Sequence, residues 1–150
     1  MNNEWSTPQV LFDELNKEFD FNTDVCANVW NHKCGDYFDI EEDGLKQIWN
    51  GVCWMNPPYG KETKKWIQKA YEESLCGTTV VCLIPSRTDT NFFHDYCLKG
   101  EIRYIRGRIH FTDKNGKTGR PRFGSMVVIF RGKTGTSCSQ EQAEKRKGEA

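Results

Sequence analysis

The chain has 150 residues, 37% of them hydrophobic and 13% aromatic, which suits one packed domain and excludes a disordered chain. Its formal net charge is zero, so the chain as a whole has no electrostatic preference for a polyanion. The longest apolar run lies around residues 80–84 and is too short to span a membrane.

Seven cysteines occur at scattered positions, an odd number without any CxxC pair. This pattern favours free thiols in a reducing compartment over a framework of disulfides. The N-terminus has no basic region followed by an apolar stretch, so we expect no signal peptide. These features predict an intracellular protein without a membrane partner.

The first predicted element is a helix that begins at Thr7 and Pro8 and extends to about Phe19. Threonine is a suitable N-cap residue, and proline fits the first helical position. Leu11, Leu15 and Phe19 recur every four residues and form one apolar face.

Two strands, a helix and a third strand follow. FNTDVCA at residues 21–27 predicts a short strand, whereas residues 28–50 are polar and irregular. GVCWM at residues 51–55 predicts the second strand, and an apolar face over residues 61–76 predicts a helix. TTVVCLIP at residues 78–85 is a continuous apolar run, which is typical of a strand covered on both faces.

The C-terminal third is predicted to contain one more helix and two strands. Residues 90–98 have helical spacing, and residues 101–111 and 124–130 have the composition of strands joined by a basic loop. Residues 132–150 have almost no apolar side chains, so we expect a flexible tail after a single domain at residues 5–131.

This order of elements predicts an α/β fold, with a Rossmann-like, mainly parallel sheet and helices on both faces. Such sheets bind ligands at the carboxyl ends of their strands. Three polar segments follow predicted strands, at residues 24–27, 56–59 and 85–89. We therefore expect these segments to share one cleft.

A basic stripe lies between residues 103 and 122. It contains seven basic residues against one acid, Asp113. A local positive field of this kind suits a polyanion such as nucleic acid. A solvated surface loop explains the same composition, so both interpretations stay open on this feature alone.

The stretch WMNPPYG, residues 54–60, ends a hydrophobic strand with two prolines and a tyrosine. Asn56-Pro57-Pro58-Tyr59 in this position resembles motif IV of amino-group methyltransferases that use S-adenosylmethionine. The order of short motifs from Trp5 to Phe130 resembles the phage-type DNA adenine methyltransferase family.

The resemblance implies a reduced class I methyltransferase fold over residues 5–131 and S-adenosylmethionine as the cofactor. It also implies double-stranded DNA as the partner, in the cytoplasm of a bacterial cell or phage-infected host. No feature of the sequence specifies an oligomeric state.

Asn56, Pro57, Pro58 and Tyr59 are the implied catalytic residues. The amino group of adenine is a poor nucleophile because its lone pair is delocalised into the ring. The side-chain oxygen of Asn56 and the backbone carbonyl of Pro57 would accept its two protons and stabilise the charge that develops during attack. The prolines hold that carbonyl rigidly, and Tyr59 offers a face on which a flipped base can stack. No covalent enzyme intermediate is needed.

The cofactor site departs from the usual pattern, because the loop after the first strand has no glycine. It contains small Cys26 and Ala27 instead, and the resemblance implies that Asp24 faces the methionine amino group. Asp39 or Asp43 is the candidate for the ribose hydroxyls. The full set implied for the cofactor is Trp5, Thr7, Pro8, Asp24, Cys26, Ala27, Asp39, Asp43 and Asn56.

Phosphate contacts are expected from basic residues of the stripe, since such attraction is strong and independent of base sequence. These residues are Arg106, Arg108, Lys117, Arg120 and Arg122. We predict no metal site, because Cys26, His32 and Cys34 have a spacing that fits no common zinc site.

Two alternative functions stay open. One is methylation of a protein glutamine or another nucleobase, which presents a similar planar nitrogen but gives no reason for the basic stripe. The other is a non-catalytic scaffold that binds nucleic acid.

Overall fold

A computed structural model of the chain describes residues 5–119, 121–134 and 138–148. The helices in this part are α1 (Gln9–Phe19), α2 (Thr63–Leu75), α3 (Asn91–Asp95) and α4 (Gln140–Gly148). Its strands are β1 (Thr23–Asp24), β2 (Asp36–Tyr37), β3 (Val52–Met55), β4 (Thr79–Pro85), β5 (Glu101–Tyr104), β6 (Phe111–Thr112), β7 (Thr118–Gly119) and β8 (Ser125–Phe130). Short 3-10 helices occupy Gly44–Lys46 and Cys97–Lys99.

The central sheet has six strands in the order β2-β1-β3-β4-β8-β5, and β6 and β7 form a separate hairpin. Strands β2, β1, β3 and β4 are parallel to one another, whereas β8 is antiparallel to both β4 and β5. Strand β8 is therefore the one reversed strand of this sheet. The prediction of an α/β protein with a mainly parallel sheet is confirmed.

Strand β4 lies at the centre of the core and is buried on both faces. Val80, Cys82 and Ile84 pack in one apolar cluster with α2 and α3, and Val81 and Leu83 pack in another with α1. Alternate residues of a strand point to opposite faces, so one continuous apolar run supplies both halves of the core. Helices cover both faces of the sheet, as predicted.

The order of connections changes direction beside β1. The chain leaves β1 to form β2 on one side and then returns to form β3 on the other side. Asp24 lies opposite Trp54 in this parallel pair, so the carboxyl ends of β1 and β3 are adjacent. Strand β4 ends beside them. A reversal of strand order opens a crevice at this edge, where open α/β sheets bind ligands.

The predicted strand at residues 101–111 is wrong in its second half. Strand β5 ends at Tyr104, and Gly107 has a φ of +77°, a backbone conformation that favours glycine. Phe111 then begins the β6–β7 hairpin, with its side chain buried in the cluster beneath α1. The chain turns at Gly107, and Phe111 then reaches the core from outside the central sheet.

The prediction that all cysteines are free is wrong for one pair. Cys76, at the end of α2, forms a disulfide with Cys138, and the other five cysteines are buried thiols. The chain that leaves β8 returns along α2, where the Lys133 amide donates to the Ser74 carbonyl at 2.8 Å. The two cysteines are 62 positions apart, so no local spacing signals the bond.

The C-terminal segment also differs from the predicted loose tail, because residues 140–148 form α4. Arg146 on this helix contacts the buried carboxylate of Glu73 on α2 and donates to the Trp49 carbonyl at 3.1 Å. Lys69 contacts the same carboxylate at 2.6 Å. The Arg146 side chain thus joins α4 to the domain, although residues 132–150 have almost no apolar side chains. In the described part of the chain, every helix is too short or too polar to cross a bilayer.

Arg146→Ala should lower the free energy of unfolding by about 1–3 kcal/mol, because it leaves the buried Oε2 of Glu73 with only the long bond of 3.4 Å from the Trp49 amide. Lys147→Ala, at an exposed neighbouring position with the same charge change, is the control and should change it by less than about 0.5 kcal/mol. Urea unfolding measures both. Equal values for the two variants would contradict the contact between α4 and Glu73.

Candidate active site

The Asn-Pro-Pro-Tyr segment follows β3 and forms a turn that is fixed to α2. The hydroxyl of Thr63, the first residue of α2, donates to the Pro58 carbonyl at 2.8 Å and accepts from the Gly60 amide at 2.9 Å. Thr63 is only 1% exposed, so water does not compete for these bonds. Sequence reasoning missed this residue, although a threonine three positions after a turn glycine is a usable signal for such a clamp.

Asn56 has one satisfied and one unsatisfied end. Its side-chain NH2 donates to the Thr7 hydroxyl at 2.9 Å. Its oxygen Oδ1 is buried and, among the side chains that the structure describes, is the one buried nitrogen or oxygen without a hydrogen-bond partner. Buried polar atoms are almost always paired, so an unpaired acceptor in this motif calls for a donor from outside the chain.

The Tyr59 ring is held at a defined angle. It packs edge-on against Phe111, with ring centroids 6.0 Å apart, and its hydroxyl lies 3.3 Å from the Ser125 hydroxyl. Burial raises the pKa of Tyr59, so the phenol stays protonated at neutral pH. Phe111 is fully buried and supports the ring from behind.

A large cavity of about 750 Å³ lies on the Tyr59 side of the turn. Aromatic and basic side chains dominate its wall, and Arg87 stacks over the Phe123 ring at 4.4 Å. The residues that line the cavity are Trp5, Tyr59, Gly60, Lys61, Thr63, Pro85, Arg87, Phe92, Gly119, Pro121, Arg122 and Phe123. Pro85 and Arg87 belong to the third segment predicted to share the cleft. Sequence reasoning did not select Phe123 or Lys61.

A second, smaller cavity of about 260 Å³ lies on the Pro58 side. Four residues predicted for the cofactor line it together with Pro58: Cys26, Ala27, Asp39 and Asp43. Neighbouring residues of the motif, Pro58 and Tyr59, therefore line different cavities.

The two candidate ribose acids both shape the backbone of the small cavity. Asp39 accepts from the amides of Glu41 and Glu42 at 3.0 Å each. Asp43 accepts from the Leu45 amide at 3.2 Å and caps the first 3-10 helix. Each bond uses the oxygen Oδ1, so the other carboxylate oxygen of each residue keeps its lone pairs.

Asp24 lines neither of these two cavities. Its carboxylate is 2% exposed and accepts from the backbone amides of Cys26 at 3.3 Å and Lys33 at 3.0 Å. Burial raises the pKa of Asp24 to about 7, against the lowering effect of these two hydrogen bonds. The side chain thus holds the loop after β1 in its turn.

The N-terminal segment packs against the motif. Ser6 and Thr112 exchange backbone hydrogen bonds of 2.7 and 3.1 Å, and the Asn31 side chain donates to the Trp5 carbonyl at 3.1 Å. The predicted cap is displaced by one residue: Pro8 is the N-cap of α1, and the Thr7 hydroxyl bonds Asn56 instead.

Gly119 makes room for Trp5 in the large cavity. A side chain at position 119 would begin 2.5 Å from the end of the Trp5 ring, so a larger residue there would require that ring to move.

Four of the five basic residues predicted to contact DNA lie in the described part of the chain. Arg106, Arg108, Lys117 and Arg122 are exposed, and Arg120 lies outside the described residues. Arg122 also lines the large cavity. The Arg108 guanidinium donates to the Pro121 carbonyl at 2.9 Å and also contacts the Arg122 carbonyl, so it fixes the loop before β8.

Arg103, in the same stripe, forms ion pairs with two glutamates. It forms a two-point contact of 2.8 Å with Glu18 of α1 and a further contact of 3.0 Å with Glu101. It therefore ties the edge of the sheet to α1.

Among the described residues, His, Cys, Asp and Glu side chains form no group of three that could hold a metal ion. His32 donates from Nδ1 to the Cys34 carbonyl at 2.7 Å and stacks on Tyr37.

The fold and site define the class: an α/β protein with a mostly parallel sheet, compatible with a Rossmann-like fold, and two cavities lined by neighbouring residues of one turn. The model of a protein family described as "DNA N-6-adenine-methyltransferase (Dam)" matches residues 1–150. The chain belongs to this family of DNA adenine methyltransferases.

A curated relative agrees with this assignment. The DNA N-6-adenine-methyltransferase of Haemophilus phage HP1 (strain HP1c1) is 32% identical to the chain over 140 residues. The match covers 84% of this chain and 77% of the phage protein.

The raised pKa of Asp24 predicts a pH-dependent stability. The folded protein binds this proton more tightly than the unfolded chain, whose aspartate has a pKa of 3.8, so stability should fall as pH rises from about 4 to 7. Relative to Asp24→Asn, the loss should reach at most about 4 kcal/mol and then level off. Urea unfolding from pH 4 to 8 measures it, and Asp36→Asn controls for an exposed charge change. A stability difference that does not vary with pH would contradict the prediction.

Proposed function

We propose that the protein transfers a methyl group from S-adenosylmethionine to the exocyclic amino nitrogen of adenine in double-stranded DNA, with the base flipped out of the duplex. The observation that carries this proposal is the buried, unpaired oxygen of Asn56 in the motif turn. An amino group is the kind of donor that would satisfy it.

Asn56 and Pro57 act on the nucleophile. The amino nitrogen of adenine must become pyramidal before its lone pair can attack, and it gains positive charge as it does so. Acceptors at Asn56 Oδ1 and the Pro57 carbonyl favour that geometry through preorganised dipoles. The clamp from Thr63 to the Pro58 carbonyl supports the idea, since it holds the turn rigid without using either acceptor. The oxygen of Asn56 is buried in this structure. Active-site groups are often imperfectly aligned before substrate binds, so this burial is consistent with the proposed role.

The small cavity is our candidate for the nucleoside half of the cofactor. S-adenosylmethionine supplies an electrophilic methyl group from its sulfonium centre when bound. Cys26 and Ala27 are small enough to admit a ligand close to the backbone, and Asp39 or Asp43 would accept from the ribose hydroxyls. The cavity is small for the whole molecule, so the methionine half would extend toward the motif.

The methionine half has candidate partners on both sides of the motif. Asp24 still has unused lone pairs for an ammonium group, although it already accepts two amide bonds. Trp5, Thr7 and Pro8 belong to the segment that would close over this region, with Trp5 and Pro8 as the candidate contacts and the Thr7 hydroxyl already bonded to Asn56. Asn56 completes the set expected for the cofactor.

The large cavity is our candidate for the flipped adenine. Its volume is within the range of ligand pockets, and its aromatic wall suits an extruded base. Tyr59 is the stacking residue because its ring is held in place by Phe111. Phosphate contacts would come from the exposed residues Arg106, Arg108, Lys117 and Arg122, together with Arg120. The DNA substrate implies that the protein acts in the cytoplasm of a bacterial cell or phage-infected host.

The direct test is incubation with methyl-labelled S-adenosylmethionine and double-stranded DNA, followed by digestion and identification of the labelled nucleoside. We expect N6-methyl-2′-deoxyadenosine from the wild-type protein. Asn56→Ala and Tyr59→Ala should reduce its formation at least 100-fold, because the first loses an acceptor and the second a stacking face.

Tyr59→Phe is the matched control, since it keeps the ring and loses only the contact with Ser125. It should keep most of the activity. Thermal unfolding of all three variants checks the fold. A different labelled nucleoside, labelled protein, or no label would overturn the proposal, as would loss of activity that merely follows loss of folding.

Arg122→Ala should weaken binding to DNA of any sequence and should reduce the slope of log affinity against log salt by about one unit. Lys17→Ala has the same charge change at the end of α1, which runs into the amino edge of the sheet, away from both cavities. That control should leave the slope unchanged. Fluorescence anisotropy with two unrelated duplexes at several salt concentrations measures both. A loss confined to one sequence would identify Arg122 as a base reader instead.

A further inference from the structure

We propose that Thr7 is a positioning residue that holds the Asn56 amide in place, with its oxygen left to accept from the reacting amino group. This inference rests on the proposed function of the site. It differs from a contact between Thr7 and the cofactor, because Thr7 would act through Asn56.

The two ends of an asparagine amide are opposite in hydrogen bonding. The NH2 end only donates and the oxygen only accepts. The Thr7 hydroxyl accepts from Nδ2 of Asn56 at 2.9 Å, which leaves the buried oxygen unpaired. If the amide turned over, the NH2 group would meet the amino group of the substrate, donor against donor. The Thr7 hydroxyl can accept from Nδ2 or donate to Oδ1, so it holds the amide in either orientation. With a substrate amino group bound, only the orientation with Nδ2 at Thr7 lets every donor meet an acceptor.

Thr7 is itself rigidly held, although it is 49 positions from Asn56. Its side chain is only 4% exposed. Ser6 pairs with Thr112 on one side, and α1 begins two residues later on the other. The hydroxyl is thus presented from a fixed backbone and is shielded from water. A bond of this kind gains strength from the low local dielectric and costs most when one partner is removed.

Thr7 is also absent from the residues that line either cavity in the described part of the chain. Its removal should therefore leave binding of both ligands intact. The expected signature is a lower kcat with an unchanged affinity for the cofactor and for DNA.

The experiment compares Thr7→Val with Thr7→Ser in the full-length protein. Valine keeps the shape and removes the acceptor, whereas serine keeps the acceptor and removes a methyl group. Under single-turnover conditions with saturating cofactor and DNA, Thr7→Val should slow methyl transfer about tenfold or more, and Thr7→Ser by less than about threefold. The dissociation constant for S-adenosylmethionine, measured by titration calorimetry, should change by less than about twofold in both variants.

A second readout does not depend on activity. In ¹H–¹⁵N spectra, the side-chain NH2 resonances of Asn56 should shift and exchange faster with water in Thr7→Val, and should stay close to wild type in Thr7→Ser. Thermal unfolding is measured in parallel, and the spectra show directly whether each variant is folded.

Three results would overturn the inference. The first is the reverse order of activity, with Thr7→Val active and Thr7→Ser impaired, which would indicate a packing role. The second is weaker cofactor binding with an unchanged rate at saturation, which would indicate a cofactor contact. The third is an unchanged Asn56 side-chain signal in Thr7→Val. If the wild-type protein methylates no adenine, the proposed function fails separately, and the spectra still report on the bond.

Discussion

The parallel pairing of β1 with β3 is the constraint on which the site depends. Asp24 lies opposite Trp54 in that pair, so the loop after β1 and the Asn-Pro-Pro-Tyr turn after β3 leave the sheet side by side. The chain reverses its strand order at this point, and backbone pairing leaves the edge open because neighbouring connections diverge. Both cavities lie along the resulting crevice, with Pro58 in the wall of one and Tyr59 in the wall of the other. The position of the crevice thus follows from strand order before any side chain is considered.

Buried hydrogen bonds then give the irregular backbone at that edge a single conformation. Thr63 bonds the motif turn to α2, and Asp24 bonds the loop after β1 to itself through two amides. Burying the Thr63 hydroxyl or the Asp24 carboxylate without hydrogen bonds would be costly. The backbone conformation that provides these bonds is therefore strongly preferred. Asn56 is the exception, since its oxygen has no partner within the described chain.

Elements far from the crevice support the domain in a different way. Arg103 joins the edge strand β5 to Glu18 of α1, and Arg146 joins α4 to Glu73 of α2. These two arginines hold polar segments that have little apolar surface to bury. The basic residues that remain exposed, among them Arg106 and Arg122, are then free to act on a polyanion. A count of positive charge along the sequence does not separate these roles, because the difference lies in whether an acid is within reach.

The sequence alone is sufficient to predict the class of fold, because the apolar run of β4 and the helical spacing around Leu15 and Ile67 are local patterns with local causes. It also determined the motif, since two prolines after a buried strand restrict the backbone wherever the chain is placed. Tertiary structure alone decided the rest: the Thr7 bond to Asn56, the disulfide between Cys76 and Cys138, and the occupation of Arg103. These features join residues 49, 62 and 85 positions apart, and side-chain chemistry at such separations depends on which strands become neighbours. Local propensity carries no information about which strands become neighbours. Their order is determined when the two faces of the sheet are buried.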